Sequence, residues 1–395
     1  MNSAAFATKR RISILGSTGS IGRNTLDVME HLGGRDAFAV PAITGMGNIE
    51  LLARQARQTG AGFAATADPD RYAELKSALA GSGIEVGAGP SALIEAGHRD
   101  TDLLLAGIVG IAGLAPTLAA VAGGADIALA NKECLVSAGD LFTAAMSRGG
   151  GRLLPVDSEH NAIFQVLEEN QRHAVERIIL TASGGPFRDY TREQMAAVTP
   201  EIAAAHPNWS MGIKISIDSA SMFNKALEMI EARHLFGLRP DQIEVIVHPQ
   251  SIIHSMVGYS DGSVLAQLGA PDMRHAIGYA ISHPRRANLP VERLDFARLA
   301  RLDFSAPDET RFPALALARI AMQRGGLQGA ILNGAKEAAL DVFIAGRTGF
   351  LDMADIVAET MDRLHDGREA ASIEDVYAAD REARAVARSL LREPA

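Results

Sequence analysis

The sequence has a single cysteine, Cys134, so no disulfide can form within one chain. A chain without disulfides fits a reducing compartment, and we expect the cytoplasm. The basic residues up to Arg11 have no apolar run behind them, which argues against a secretory signal peptide. No other stretch is apolar for long enough to predict a membrane span.

An excess of basic residues is also lacking. The chain has 38 Lys and Arg against 47 Asp and Glu, which gives a net charge of −9. Nucleic acid is therefore not expected as a partner, since phosphate-backbone binding needs a broad basic surface. A small anionic substrate is still compatible, because a few Lys and backbone N–H groups can hold one phosphate.

The first part of the chain alternates short apolar runs with helical patterns. This alternation predicts a doubly wound parallel sheet, and thus an α/β protein with a Rossmann-like N-terminal domain. The predicted strands are 11–15, 38–43, 63–66, 103–106 and 127–130, and the clearest helices are 21–32 and 49–59.

The length of 395 residues predicts more than one domain. After Gly149–Gly151, apolar runs at 153–156, 178–181 and 215–217 end at polar or acidic residues, which predicts strands of an α/β central catalytic domain. A Pro- and Arg-rich linker follows, and the Ala- and Leu-rich remainder is helical. The predicted domains are 1–155 for dinucleotide binding, 156–282 for catalysis, 283–313 as linker and 314–395 as a helical C-terminal domain.

A glycine-rich turn follows the first predicted strand and opens the first helix. Gly16, Gly19 and Gly22 permit a tight turn whose helix N-terminus offers N–H groups to a pyrophosphate, although a turn without ligand is the alternative. The end of the second strand, 44–48, has no acid to bind the 2′-hydroxyl of NAD. It also has no Lys or Arg for a 2′-phosphate, so the residues alone leave the cofactor open.

Three carboxylates predict a metal site. Asp157 and Glu159 are two residues apart and would point to one side of an extended segment, and Glu228 follows Asn224 by one helical turn. Carboxylate oxygens without a Cys or His cluster suit Mg²⁺ or Mn²⁺ and make zinc improbable. Each acid taken singly is better interpreted as a solvated loop or helix-surface group, and the metal site is predicted from the combination.

Polar groups suited to a phosphate are frequent in the same region. Ser183 precedes two glycines after a strand, and Ser219, Asn224 and Lys225 follow another apolar run. A turn residue, a helix cap and a surface lysine are the alternatives for Ser183, Ser219 and Lys225.

The only tryptophan, Trp209, lies in a Pro- and Gly-bounded segment that also contains His206. This segment could close on a substrate as a lid, or Trp209 could anchor it to the core. His248, which follows an apolar run, is interpreted as structural rather than catalytic.

With these motifs together, the chain resembles the 1-deoxy-D-xylulose 5-phosphate reductoisomerase family from Gly16 to about Phe350. The resemblance rests on seven segments, and a chance match to all of them is not credible. They are 16–22 (GSTGSIG), 130–133 (ANKE), 155–160 (PVDSEH), 181–187 (TASGGPF), 206–212 (HPNWSMG), 214–220 (KISIDSA) and 224–228 (NKALE).

The resemblance implies an NADPH-dependent homodimer that uses Mg²⁺ or Mn²⁺ to rearrange and reduce its sugar phosphate to 2-C-methyl-D-erythritol 4-phosphate. It implies metal ligands at Asp157, Glu159 and Glu228, with Glu159, Lys132 and His206 as the catalytic residues. Substrate contacts are implied at Ser158, Glu159, Ser183, His206, Trp209, Ser219, Asn224, Lys225 and Glu228. Cofactor contacts are implied at Thr18, Gly19, Ser20, Ile21, Gly47, Asn48, Asn131, Lys132, Glu133 and Gly212.

The chain departs from the family pattern in two places that matter below. Gly47 precedes Asn48 where the family commonly has a Lys, and Asn333–Glu337 (NGAKE) replaces the run Asn-Ala-Ala-Asn-Glu. Two other functions remain as alternatives. A simple NADP-dependent dehydrogenase would work without a divalent ion, and a non-catalytic dinucleotide sensor would not need the three acids.

Overall fold

The computed structural model describes residues 9–205 and 212–391. They form two compact units, each assembled from separate stretches of the chain. The first unit contains the chain up to Cys134, Phe142–Phe164 and Asp272–Glu292, and the second contains Leu135–Leu141, Gln165–Pro271 and the chain from Arg293 onward. Among the described residues, no helix has the length and apolarity needed to cross a lipid bilayer.

The first unit is built on one parallel sheet of eight strands. Its strand order is β5-β4-β3-β1-β6-β7-β8, and the short β2 pairs with β1. The strands, numbered along the chain, are β1 (Arg10–Leu15), β2 (Phe38–Ala39), β3 (Ala42–Gly45), β4 (Phe63–Thr66), β5 (Glu85–Ala88), β6 (Leu103–Ala106), β7 (Asp126–Leu129) and β8 (Leu153–Pro155). The helices that begin in this unit are α1 (Ser20–His31), α2 (Gly34–Ala37), α3 (Ile49–Thr59), α4 (Tyr72–Ala78), α5 (Gly89–His98), α6 (Leu114–Ala122), α7 (Glu133–Gly149), α8 (Ser158–Val166) and α13 (Arg274–Ser282).

Central strands of this sheet are buried on both sides because helices cover both faces. Ile12, Ile14 and Leu105 are fully buried and pack with apolar residues of α1, α3 and α13 in one core. Continuous apolar runs such as Leu103–Ala106 are typical of parallel strands covered on both faces. The prediction of a doubly wound, Rossmann-like domain is confirmed.

The second unit combines a small mixed sheet with a helical region. Its strand order is β10-β9-β11-β12, with β10 parallel to β9 and β11 antiparallel to both neighbours. The strands are β9 (Val175–Ala182), β10 (Ile243–Val247), β11 (Ile253–Tyr259) and β12 (Val264–Leu268). The helices are α9 (Arg192–Ala196), α10 (Pro200–Ala203), α11 (Ile213–Ala220), α12 (Phe223–Phe236), α14 (Phe296–Leu299), α15 (Ala314–Arg324), α16 (Gln328–Ile344), α17 (Asp352–Arg363) and α18 (Ile373–Ser389).

The predicted helical C-terminal region is confirmed, since α15 to α18 follow one another with α16 packed between α17 and α18. α16 is buried along nearly all of its length, which explains why its sequence lacks a polar face. The proposed linker contains only the short α14 and a single bridge between Ser305 and Val247.

Two local predictions are wrong. The run 215–217, predicted as a strand, lies inside α11, where Ser216, Ile217, Asp218 and Ala220 are buried. Three residues are too few to distinguish the period of 2 of a strand from the period of 3.6 of a helix, and the chain forms a helix here. Glu159 lies in the first turn of α8 and not in an extended segment with Asp157, so the expected reason for their proximity does not hold.

Candidate active site

The glycine-rich turn joins β1 to α1 at the carboxyl edge of the first unit's sheet. Gly16 has a φ of +80°, and a Cβ there would stand 2.5 Å from the carbonyl oxygen of Gly107. A Cβ at Gly22 would stand 2.3 Å from the Cα of Ser17, so both positions require glycine for close packing. Ser17 is buried and donates to the Thr44 carbonyl (3.1 Å), which fixes the turn on β3.

The predicted pyrophosphate residues lie where the first helix opens. α1 begins at Ser20 after Gly19, and no side chain caps its first N–H groups. Ser20 and Gly19 are exposed, and Thr18 and Ile21 are half-buried. An uncapped helix N-terminus with exposed small residues is a suitable anion site, because the amide groups and the helix dipole both favour negative charge.

Asn131 braces a neighbouring loop of the same sheet edge. Its side-chain amide donates to the carbonyls of Ile108 and Gly110 (2.9 Å to the second), and its Oδ1 accepts from Cys134 N. Glu133, two residues after Asn131, is the first residue of α7 and is buried. The Asn131 side chain is therefore committed to the loop after β6 and to the start of α7.

Lys132 and Asp157 form an ion pair within the first unit. Lys132 Nζ lies 2.7 Å from Asp157 Oδ2, and both side chains are largely buried. Asp157 Oδ1 accepts from the backbone N–H of Glu159 (3.3 Å), and Ser158 Oγ donates to Glu159 Oε2. His160 Nδ1 lies 3.7 Å from Asp157 Oδ1. Lys132, which was predicted as catalytic, and the predicted metal ligands Asp157 and Glu159 are thus linked at the start of α8.

A second cluster lies in the second unit, where the turn after β9 meets the end of α11. Ser183 Oγ accepts from the N–H of Gly185, which has a φ of +65°. A Cβ at Gly185 would stand 3.1 Å from the carbonyl oxygen of Ser219, so glycine lets the turn contact the end of α11. The structure therefore brings the turn that carries Ser183 next to Ser219.

The first turn of α12 continues this cluster. Met222, in the left-handed region at φ +63°, separates α11 from α12. Asn224 and Lys225 follow at once, and both donate to the carboxylate of Glu228 one turn later. Lys225 and Glu228 are buried, so their opposite charges compensate each other in the interior.

His206 and Trp209, predicted on the lid, lie outside the described residues. Gly212, which follows this segment, is the N-cap residue of α11 and accepts from Ser216 N (3.0 Å). α11 therefore joins the end of that segment to Ser219.

Three family models match consecutive parts of the chain. The model described as 1-deoxy-D-xylulose 5-phosphate reductoisomerase matches residues 12–139. The model of its C-terminal domain matches residues 153–236, and a further model, described as DXP reductoisomerase C-terminal domain, matches residues 268–386.

Curated relatives of the same description cover nearly the whole chain. The protein of Sinorhizobium fredii is 73% identical over 98% of this chain and 98% of its own length. The chain belongs to the 1-deoxy-D-xylulose 5-phosphate reductoisomerase family. A reductoisomerase from Zymomonas mobilis, solved in complex with NADPH, is 50% identical with a TM-score of 0.92, over 98% of this chain and 100% of that one. Another, solved with NADPH, fosmidomycin and magnesium, is 40% identical with a TM-score of 0.91, over 96% and 98%.

His248 is a structural residue of the second unit. Its Nε2 accepts from the backbone N–H groups of Ile252 and Ile253 (3.2 Å each), so Nδ1 carries the proton and donates to the Asp303 carbonyl (2.9 Å). The ring also stacks on Phe304 at 4.8 Å. Both ring nitrogens thus bond to backbone groups: Nδ1 holds the 303–304 segment and Nε2 holds the turn into β11, which agrees with the structural role predicted from the sequence.

An ionic cluster that was not predicted from the sequence joins α11 to α16 around the buried Lys336. Lys336 Nζ lies 2.8 Å from Asp218 Oδ2 and also donates to Glu337, while Lys214 Nζ lies 3.4 Å from Glu337. Burial opposes ionisation of Glu337, but the charge and hydrogen bond of Lys336, helped by Lys214, outweigh it and lower the pKa of Glu337 to about 2. The only signal was the departure at 333–337, where a Lys replaces the family's Asn.

Proposed function

We propose that this chain rearranges 1-deoxy-D-xylulose 5-phosphate and reduces the product with NADPH to 2-C-methyl-D-erythritol 4-phosphate, in non-mevalonate isoprenoid precursor synthesis. One observation carries the proposal beyond family membership. The turn that carries Ser183 contacts the end of α11 at Ser219, and α12, which carries Asn224 and Lys225 in its first turn, begins four residues later. Hydroxyl, amide and ammonium groups at a helix N-terminus suit one phosphate group.

The phosphate would be held by these four residues at a distance from the reacting carbons. Lys225 supplies the positive charge, and its ammonium is paired with Glu228 in the structure. Binding energy from a remote phosphate orients the rest of the substrate and limits its motion during the reaction. We assign Trp209 and His206 to the segment that covers the bound substrate and contacts it.

The residues present fit a hard divalent cation. Asp157, Glu159 and Glu228 offer only carboxylate oxygens, and Lys132 and Lys225 show that positive charge is accommodated beside Asp157 and Glu228. We assign these three acids as ligands of Mg²⁺ or Mn²⁺, with Ser158 as a substrate contact. The bound metal would act as a Lewis acid on the substrate oxygens.

NADPH supplies the hydride, and the first unit is its binding domain. The uncapped N-terminus of α1, at Thr18 to Ile21, would hold the pyrophosphate. We assign Asn131 and Glu133 to the nicotinamide end and Gly47 and Asn48 to the adenosine end, with Lys132 and Gly212 as further cofactor contacts. Lys132, held by Asp157, would place its ammonium near the oxygen atoms whose charge changes in the reaction.

The remaining proposals concern organisation. We propose that residues 1–155 bind the cofactor, that 156–282 carry catalysis and dimer contacts, and that 283–313 link them to the helical 314–395. A homodimer is supported by β12, an edge strand whose Val264 and Leu265 are exposed by 47% and 39%. A cytoplasmic location is supported by the single, buried Cys134.

NADPH oxidation with 1-deoxy-D-xylulose 5-phosphate, with and without EDTA, tests this function. We expect absorbance at 340 nm to fall only when both substrate and Mg²⁺ are present, and the product to have a branched carbon chain by NMR. Oxidation that persists in EDTA and gives an unbranched product would identify a simple dehydrogenase. Cofactor binding without any oxidation, with Mg²⁺ present, would identify a dinucleotide sensor.

A further inference from the structure

The turn between β3 and α3 is the part of the cofactor domain whose sequence offers no cation. Met46 and Gly47 are exposed at the carboxyl edge of the sheet, and a Cβ at Gly47 would meet no atom within 4 Å. Asn48 uses its side-chain oxygen to cap α3 by accepting from Leu51 N (3.0 Å). The turn itself thus has an open surface and no charge.

The neighbouring connection brings a guanidinium to this turn. β4 lies beside β3, and the segment after it places Arg71 at the end of the 3₁₀ turn Pro69–Arg71. Arg71 Nη1 donates to the carbonyl oxygen of Gly47 (2.9 Å), although 24 residues separate them. The two strands end side by side, since Ala67 N donates to the Gly45 carbonyl (2.8 Å), so this contact follows from the sheet topology.

Acidic neighbours hold Arg71 over the turn without burying it. Asp68 Oδ2 lies 3.5 Å from Nε, and Glu74 Oε2 lies 3.2 Å from Nη1, while the side chain is 42% exposed. Among the described residues, Nη2 has no acceptor. A guanidinium in this state keeps donors that are directed to solvent at the mouth of the turn.

Other basic residues near the turn are engaged elsewhere. Arg57 donates to the carbonyls of Ala78, the last residue of α4, and of Ala80 (2.9 and 3.0 Å from Nη2). Arg54 pairs with Glu50 along the exposed surface of α3 (3.8 Å). Of these three arginines, Arg71 is the one that hydrogen-bonds to the turn.

We propose that Arg71 determines the preference for NADPH by binding the 2′-phosphate of its adenosine. In dinucleotide-binding folds the adenosine ribose lies at the end of the second main strand, where an acid selects NAD and a nearby Arg accommodates the 2′-phosphate. β3 is that strand, it ends without an acid, and Arg71 is the guanidinium beside it. A phosphate with two negative charges would compete with the carboxylate of Glu74 for the N–H donors of the Arg71 guanidinium. The proposal rests on the NADPH-dependent function proposed above.

The test measures binding of NADPH and NADH by calorimetry, without substrate, to the full chain and to Arg71→Met. We expect Arg71→Met to weaken NADPH binding at least tenfold and to change NADH binding less than twofold, because only NADPH carries the 2′-phosphate. Arg54→Met is the matched control, since it removes a nearby exposed guanidinium and should change neither Kd by more than twofold.

A second variant distinguishes loss of the Arg71 charge from a local distortion of the turn caused by the substitution. Gly47→Lys in the Arg71→Met background places an ammonium on the same open turn, where a side chain has room, and should restore at least part of the lost NADPH preference. Equal loss of NADPH and NADH affinity in Arg71→Met would reduce Arg71 to a structural residue and overturn the proposal. Unchanged NADPH affinity would overturn it as well. Either result leaves wild-type NADPH oxidation with 1-deoxy-D-xylulose 5-phosphate intact, so it is distinct from failure of the proposed function.

Discussion

Replacement of Lys336 by Met should destabilise the second unit strongly, because it removes a buried cation shared by two acids. Lys336 is 2% exposed, and its Nζ contacts Asp218 of α11 and Glu337 of α16. Lys214 of α11 contacts Glu337 and Asp341 of α16 in turn (3.4 and 2.6 Å). Each helix therefore contributes a lysine that pairs with an acid of the other helix. Loss of Lys336 removes the partner that it provides to Asp218.

The pKa of Glu337 sets the size of the effect. Its lowering from an ordinary 4.5 to about 2 corresponds to about 3 kcal/mol of folding stability near pH 7. Because the folded-state pKa is the lower one, this stabilisation is complete above about pH 4.5 and is lost as the pH falls toward 2. About 2 kcal/mol of this stabilisation would remain at pH 3.5.

Urea unfolding followed by circular dichroism at pH 7 and pH 3.5 measures this effect. We expect Lys336→Met to lose about 3–5 kcal/mol at pH 7, as when one partner of a buried ion pair is removed. The loss should shrink by at least about 1 kcal/mol at pH 3.5, and adding Asp218→Asn should recover part of it. Lys76→Met, at an exposed lysine of α4, is the control and should change little. A loss that is below about 1 kcal/mol, or equal at both pH values, would refute the reasoning.

Three further predictions concern the proposed site and the structural histidine. Glu159→Gln should lower kcat by at least about 100-fold at saturating Mg²⁺ while the circular dichroism spectrum is retained, and wild-type turnover would exclude Glu159 as a ligand. Ser183→Ala should raise KM for the sugar phosphate by about tenfold, more than it changes kcat, because it removes one hydroxyl from the phosphate cluster. His248→Leu leaves two backbone N–H groups without their acceptor and should cost about 2–4 kcal/mol of unfolding free energy, with kcat at 25 °C within about twofold of wild type.

Strands and helices were predictable where local signals agree with burial. The helix 49–59 and the strands 63–66 and 103–106 have the predicted bounds, because capping residues and short apolar runs define them. β5 was missed, since Glu85–Ala88 is an edge strand without a buried apolar run. The run 215–217 was assigned to a strand because three residues are too few to separate a period of 2 from one of 3.6.

The candidate site was predictable as a set of residues but not as a set of contacts. Asp157, Ser183 and Lys225 stand in motifs that sequence alone can identify. Their neighbours are set by tertiary structure: Lys132 reaches Asp157 across 25 residues, and the turn of Ser183 meets Ser219 through a close approach at Gly185. The crossed ion pairs of Lys214 and Lys336 involve helices more than 100 residues apart in sequence, so no local pattern could predict them.

The Arg71 contact illustrates how a basic residue after one strand can take the place of the lysine that the family commonly has at position 47, after the neighbouring strand. Residues 44–48, where a cation for the 2′-phosphate is expected from the family pattern, contain no Lys or Arg. In a parallel sheet, however, the connections after adjacent strands emerge at the same edge, so a side chain after β4 can serve a ligand at the end of β3. An exposed turn position such as Gly47 is therefore free to lose its charge once a neighbouring turn supplies one. Cofactor preference in doubly wound sheets should then be predicted from the residues at the ends of both adjacent strands, and not from one loop.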